Sequence, residues 1–368
     1  MYQSSEAQFF QIFCSRVADN PSKNAIIHGD EEISFGRLFE KCCEFAELWE
    51  LQEDMLVALE LPKGIDFIAG ILACWSKGAS YVPLAYDDSS LRKNNLAYSA
   101  GINLWVTKQE VRRLQPYCYF SDLAYVIFTS GSSGAPKAVA VSHAGIVEVI
   151  EAQIRSFAID STSRVLWMLS TLFDASLSDI GTALLSGATL VIPASVLSAH
   201  ELPLFLTENK VTHADIPPGY LRHLKAESLG GLATLIIGGE IPPQNVIDFA
   251  RFMRVINVYG PTEATICTSC KVVDDSFHVE NIGQPLPGVS YRLCPVEAPG
   301  PAVEVPNGNP GELWIGGSHV ARGYLNQEAL TKERFVDGWY RTGDICLQNC
   351  EGDFIYKGRL DRQIKLNG

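Results

Sequence analysis

Thr129, Ser130, Ser132 and Ser133 place four hydroxyls in one short run, with Gly131 and Gly134 between them and Lys137 at its end. Glycine lets a backbone approach a ligand closely, so that its N–H groups can point at phosphate oxygens. The hydroxyls add donors and the lysine adds positive charge. That is chemistry for holding a polyphosphate. The run is not a Walker A loop, because Gly131 to Lys137 does not fit that spacing and no hydroxyl follows the lysine. A Ser/Gly linker would have the same composition, so the run alone leaves both readings open.

The elements around it favour a site. The apolar stretch Leu123 to Phe128 reads as a buried strand running straight into the loop. Up to about residue 270, short apolar runs alternate with helical patterns. Val165–Leu169, Ala188–Ile192, Thr234–Ile237 and Val255–Val258 are expected strands, with Asp174–Leu185 and Pro242–Arg251 as helices between them. Such alternation implies a parallel sheet covered by helices, with ligands at the carboxyl ends of its strands. From about Val273 the runs shorten and are separated by Gly, Pro, Asn and Asp. Ser290–Cys294, Glu312–Ile315, Trp339–Arg341 and Phe354–Tyr356 therefore read as antiparallel β, a small barrel or a distorted sheet.

The bulk numbers narrow the classes. A chain of 368 residues can bury a large core and hold more than one structural unit. Its net charge of −13 argues against a nucleic-acid binder, which would carry a basic face. No apolar run approaches the ~20 residues that span a bilayer, so no membrane partner is expected. The N-terminus lacks the regions of a signal peptide, which makes the cytosol the expected location. The cysteines read as free buried thiols; a zinc site from Cys267, Cys270, Cys346 and Cys350 is disfavoured because its second spacing is loose.

Further motifs follow in fixed order: Asn257-Val258-Tyr259-Gly260-Pro261-Thr262-Glu263, Gly311-Glu312-Leu313-Trp314-Ile315-Gly316-Gly317, Tyr340-Arg341-Thr342-Gly343-Asp344 and Gly358-Arg359-Leu360-Asp361-Arg362-Gln363-Ile364-Lys365. With the phosphate loop, this series resembles the adenylate-forming superfamily over nearly the whole chain. Phe173-Asp174-Ala175-Ser176 and Ser80-Tyr81-Val82-Pro83-Leu84 narrow the resemblance to adenylation domains of nonribosomal peptide synthetases. The resemblance implies an α/β fold, the large N-terminal domain of these enzymes: parallel sheets flanked by helices over residues 1–272, a small antiparallel β-barrel subdomain over 273–358, and a hinge at 359–368. A C-terminal small domain of roughly a hundred residues is then expected beyond the hinge; it supplies a lysine that bridges acyl carboxylate and phosphate, and without it activity should be weak. Asp361 matches the hinge position.

The implied reaction is attack of a carboxylate on the α-phosphate of ATP, then transfer of the acyl group to phosphopantetheine on a separate peptidyl carrier domain. In that reaction Thr129, Ser130, Gly131, Ser132, Ser133, Gly134 and Lys137 wrap the outer phosphates. Ala138 stands where the family usually has Gly. Glu263 holds Mg²⁺, Thr262 touches the α-phosphate, and Arg359 lies near the ribose or α-phosphate. Gly239, Asn257, Tyr259 and Tyr356 contact the nucleotide, and Asp344 accepts the ribose hydroxyls. A surface ion pair is the ordinary alternative for Arg359, core packing for Tyr259, and a solvated loop position for Glu263.

Asp174 carries the implication of an amino-acid substrate, by pairing with its ammonium; a helix N-cap is the competing reading. The resemblance gives the pocket lining as Asp174, Ala175, Ser178, Asp215, Ile236, Gly238, Val258, Ile266 and Cys267. Asp215 would be unpaired against an apolar substrate, at a cost of ~1–3 kcal/mol. Gln is therefore the favoured substrate, then Lys, Orn or Arg, then Glu. Neighbouring Asp179 reads as a helix-surface charge. Two other functions remain: an acyl-CoA or aryl-acid ligase of the same superfamily, and a non-catalytic nucleotide-binding module.

Overall fold

The computed structural model describes residues 8–114, 121–129, 136–298, 300–306 and 308–360. Two sheets run through them. In the first, Leu123–Thr129, Ser80–Pro83, Leu56–Glu60 and Leu104–Thr107 lie side by side and parallel. Lys137–Ser142 and then Gly323–Tyr324 add to the Leu123–Thr129 edge as antiparallel strands. In the second, Asn24–His28, Thr189–Ile192, Arg164–Leu166, His213–Asp215, Thr234–Gly238 and Arg254–Tyr259 are parallel neighbours.

The helices Ile65–Ser76, His143–Phe157 and Ala175–Ser186 share one core with residues of both sheets, among them Tyr81 and Tyr125 of the first and Ile236 and Ile256 of the second. A helix covered on every side should be apolar all round. Ile65–Ser76 obeys: every residue from Phe67 to Trp75 is buried. Ala175–Ser186 does not. It buries Ser176, Ser178, Asp179 and Thr182 along with its leucines. Polar groups in a covered helix need partners, which makes this helix the first structural sign of a site. It also corrects one expectation, since Asp179 is 3% exposed and not a surface charge.

Direction changes where the sequence spacing changed. Ser269–Val272 pairs antiparallel with Arg254–Tyr259 and hands the ladder to Asn281–Pro285, Phe354–Arg359, Trp339–Gln348, Gly311–Gly317 and Val289–Cys294. The ladder curls: Tyr291 on its last strand meets the Thr268 hydroxyl beside its first. The expected helix Asp174–Leu185 is observed as Ala175–Ser186, and the expected strands lie within a few residues of their bounds except Trp339–Arg341, which extends to Gln348. The expected helix at Pro242–Arg251 shrinks to Val246–Ala250, because Pro243 biases the residue before it toward extended backbone.

Parallel register places Gly238 beside Val258 at the carboxyl ends of their strands. A Cβ at Gly238 would lie 2.6 Å from Val258 Cγ2 and 3.0 Å from its carbonyl oxygen. Gly238→Ala should lower stability by about 1–3 kcal/mol through overpacking, read as a shift in the urea midpoint. Val258→Ala in the same chain should recover part of the loss. An unshifted midpoint for the single variant would contradict the contact.

Candidate functional site

Antiparallel pairing sets Thr129 opposite Lys137, so both stand at the loop end of one hairpin. The hairpin tip, with Ser130, Gly131, Ser132, Ser133 and Gly134, lies outside the described residues. Thr129 Oγ1 is buried with no hydrogen-bond partner among the described residues. Lys137 Nζ sits 5.3 Å above the Tyr324 ring, and the Tyr324 hydroxyl donates to Glu263 Oε1 at 2.8 Å. Glu263 lies in the single turn Thr262–Ala264, and its backbone carbonyl accepts from Ala321 N–H. A cation, a fixed carboxylate and an unmatched hydroxyl thus converge beside the loop. This set fits a phosphate chain with a hard cation, which prefers oxygen ligands.

Asp344 and Arg359 face each other across the strands Trp339–Gln348 and Phe354–Arg359, with Arg359 Nη1 2.8 Å from Asp344 Oδ1. The Tyr259 hydroxyl donates to Asp344 Oδ2. Burial, and then the Asp344 charge, push the Tyr259 phenol well above its ordinary range, so it stays a donor. Arg359 is therefore paired inside the site, its guanidinium mostly buried. Tyr356 packs against the same cluster as Tyr259, and Gly239 takes φ +80°, directly after Gly238. Asn257 is buried, and its Nδ2 donates to the Asn281 carbonyl at 2.9 Å. That nitrogen ties the parallel sheet to the antiparallel strands.

Asp174 stands at the start of the helix Ala175–Ser186 but makes no side-chain cap there. Its Oδ2 instead accepts from the Ile266 N–H at 3.2 Å, across the pocket. Thr265 and Ile266 have φ of +58° and +66°. For a β-branched residue this is a true outlier, of order 1–3 kcal/mol. Gly260 leaves room for this turn: a Cβ there would lie 2.4 Å from Cys267 Cα. The strained turn aims its amide at the carboxylate. Burial pushes Asp174 up to about 6, partly opposed by the Ile266 N–H and the Thr262 hydroxyl. Both of those donors are neutral.

Ala175 follows Asp174 directly, while Ile236, Ile266 and Cys267 share the central core and Val258 packs against it. Ser178 joins them through its hydrogen bonds. Ser178 Oγ donates to Gln153 Oε1 at 3.0 Å, and Gln153 Nε2 donates to Cys267 Sγ at 3.1 Å. Gln153, on the helix His143–Phe157, was not anticipated from sequence; a glutamine on an otherwise apolar stripe was its only signal.

Asp215 ends the strand His213–Asp215, and burial raises its carboxyl. Asp179 lies near enough that the two charges oppose each other, and it too is raised by burial and then by Asp215. Asp179 Oδ2 is buried and unpartnered among the described residues. The cation that acts on Asp179 is Lys63, which precedes the helix Ile65–Ser76. Lys63 Nζ donates to the Leu169 carbonyl at 2.9 Å and lies 4.6 Å over the Trp167 ring. Burial lowers its pKa to about 8, and Asp179 opposes that shift. Lys63 had no local motif to announce it.

The AMP-binding enzyme family matches residues 85–325. A linear gramicidin synthase of Brevibacillus parabrevis is 32% identical over 97% of this chain, which spans 8% of that protein's length. Novobiocin biosynthesis protein H of Streptomyces niveus is 31% identical over 99% of this chain and 68% of its own. The N-terminal subdomain of Klebsiella oxytoca NpsA, solved with 3-hydroxyanthranilyl-AMSN, superposes with a TM-score of 0.81 at 23% identity, covering 95% of this chain and 99% of that one.

The raised Asp174 gives a stability prediction with a definite sign. Below the ordinary aspartate pKa of 3.8, folded and unfolded chains both hold the proton. Between 3.8 and about 6 the unfolded chain releases it first, so stability falls as pH rises through that window and then levels. The loss is on the order of 3 kcal/mol at 1.36 kcal/mol per unit. Asp174→Asn should lack this loss. Urea midpoints of the two chains, compared from pH 4 to 7.5, should diverge up to about pH 6 and run parallel above it. A constant difference throughout would refute the assignment.

Proposed function

We propose a reaction on one premise: the chain belongs to the AMP-binding enzyme family, and within it to the adenylation cores of nonribosomal peptide synthetases. The proposed reaction is activation of an amino acid. A carboxylate oxygen of the amino acid attacks the α-phosphorus of ATP, the bond to the β-bridging oxygen breaks, and pyrophosphate leaves with that electron pair. The product is an aminoacyl-AMP; the phosphopantetheine thiol of a peptidyl carrier domain then attacks its carbonyl carbon, forming a thioester as the bond to the phosphate oxygen breaks and AMP leaves.

The observation that carries this reading is Asp174. A buried carboxylate met by neutral donors is an unmatched charge. A substrate ammonium is its natural complement, and a plain acyl or aryl acid offers none. A covalent nucleophile is not needed; the chemistry rests on positioning and charge neutralisation. Lys137 and the Thr129 hydroxyl hold the outer phosphates, Thr262 and Arg359 the α-phosphate side, and Asp344 accepts the ribose hydroxyls. Tyr259, Asn257, Gly239 and Tyr356 border the base. Bound by Glu263, Mg²⁺ would neutralise phosphate charge as pyrophosphate forms.

The side chain is selected at Asp215, Asp179 and Lys63. Two carboxylates beside one ammonium offer acceptors and a donor together. A glutamine amide matches both without adding charge, which makes Gln the favoured substrate. Lys, Orn or Arg would add a cation and draw both carboxylates into ionisation. Glu would add a third carboxyl group to the same place.

ATP–pyrophosphate exchange on the chain in its natural length tests this directly, with the twenty amino acids and a set of aryl acids. Gln should exchange best. Asp174→Ala should lower every amino acid alike, because the ammonium is common to all. Asp215→Ala should lower Gln and the basic amino acids by about 1.5–3 kcal/mol, or roughly ten- to a hundredfold, while sparing apolar ones. Exchange with aryl acids alone would overturn the ammonium reading, and best exchange with Phe, Leu or Val would overturn Asp215 as selector. Calorimetry of ATP with Lys137→Ala and Asp344→Ala should show weakened binding; unchanged affinity in both would remove the nucleotide assignment.

A further inference from the structure

The helices His143–Phe157 and Ala175–Ser186 approach each other closely because Gly181 has no side chain. A Cβ there would lie 2.7 Å from Ile150 Cδ1. One turn further along the first helix is Gln153, and one turn back along the second is Ser178. Their side chains meet at 3.0 Å, so the same close approach that Gly181 permits creates this second contact.

The first helix turns Ile146, Val149, Ile150 and Phe157 into the core, all buried and apolar. Gln153 lies on the same stripe and is 1% exposed. A buried carboxamide is costly unless its atoms are hydrogen-bonded. Its oxygen is satisfied by Ser178 and its nitrogen by the Cys267 sulfur, a weak acceptor. Burial pushes the Cys267 thiol up, so it stays neutral. Both partners belong to the pocket lining, one from its helix wall and one from its strand side. A serine at 178 is too small to close that end alone.

We propose that Gln153 is a specificity-determining residue of the amino-acid pocket: its carboxamide fills the space behind Ser178 and Cys267 and sets the size of side chain admitted. It touches the wall rather than the reacting atoms, so it is a positioning residue. The proposal rests on the reading of Ser178 and Cys267 as pocket walls.

The test compares Gln153→Ala, which empties the space, with Gln153→Met, which keeps the volume and drops the hydrogen bonds. Exchange is measured with the substrate preferred by the unaltered chain and with Phe and Trp, as ratios of kcat/KM. In the Ala variant the ratio of Phe or Trp to the preferred amino acid should rise at least tenfold, with the KM for ATP unchanged. The Met variant should keep the original ratio. Equal loss for all amino acids in the Ala variant would mean a structural role only and overturn the gate. A rise in both variants would overturn it as well, since hydrogen bonding rather than volume would then be responsible. Thermal melts establish folding, and Gln153→Ser supplies the same comparison if the Ala variant does not fold. Absence of amino-acid exchange in the unaltered chain overturns the pocket reading itself, and is seen before any variant is made.

Discussion

One buried carboxylate organises this molecule. Asp174 is held out of water, where an uncompensated charge is expensive. The chain answers with dipoles, not with a cation. Its strongest answer is the Ile266 N–H, delivered by backbone with positive φ at Thr265 and Ile266. That backbone persists only because its surroundings over-determine it. Gly260 beneath it admits no side chain, and the Thr265 hydroxyl is anchored to the His319 carbonyl. Strain in the backbone and charge in the side chain sustain each other. The substrate ammonium of the proposed reaction would supply the positive charge that this arrangement lacks.

The middle layer explains why polar groups here can be so exactingly placed. The helices share one core with residues of both sheets, and the faces that they turn to one another are closed to solvent. A polar side chain on those faces must find its partner inside. Ser178, Gln153 and Cys267 therefore settle against one another, while Lys63, Asp179 and Asp215 share charge in a separate group. Two carboxylates are raised by burial there and one lysine is lowered by it. A low dielectric strengthens both the attraction and the penalty for a missing partner.

Much of the fold was legible because it is written in local period and punctuation. Alternating runs gave the parallel strands, and the change to short strands between turn residues marked the antiparallel ladder that follows Ser269–Val272. The helix Val246–Ala250 was overestimated because apolar spacing continued where the prolines had already delayed its start. The residues assigned to the proposed nucleotide side were legible through contiguous motifs: Tyr259, Asp344 and Arg359 come from three of them and do meet. The side-chain end of the pocket was not. Asp179 follows Ser178 in a helix that could have been amphipathic, and only the second sheet covering it makes it buried. Lys63 is brought to it from more than a hundred residues away, through a segment without a motif.

That asymmetry has a physical cause. Every substrate pair of the proposed reaction presents the same phosphates, ribose and ammonium, so the groups that would meet them can be fixed in short recurring sequence. The variable part of the substrate must be met by whatever side chains the packing brings to its end, and packing is a property of three dimensions. In the proposed pocket the far wall is set by a glutamine on one helix and a glycine on the other, whose contacts at Ser178 and Ile150 are one turn apart. Because the interior is close-packed, a change at either contact bears on the room at the other one turn away. Selectivity in such a pocket is therefore carried as much by residues behind the lining as by the lining itself.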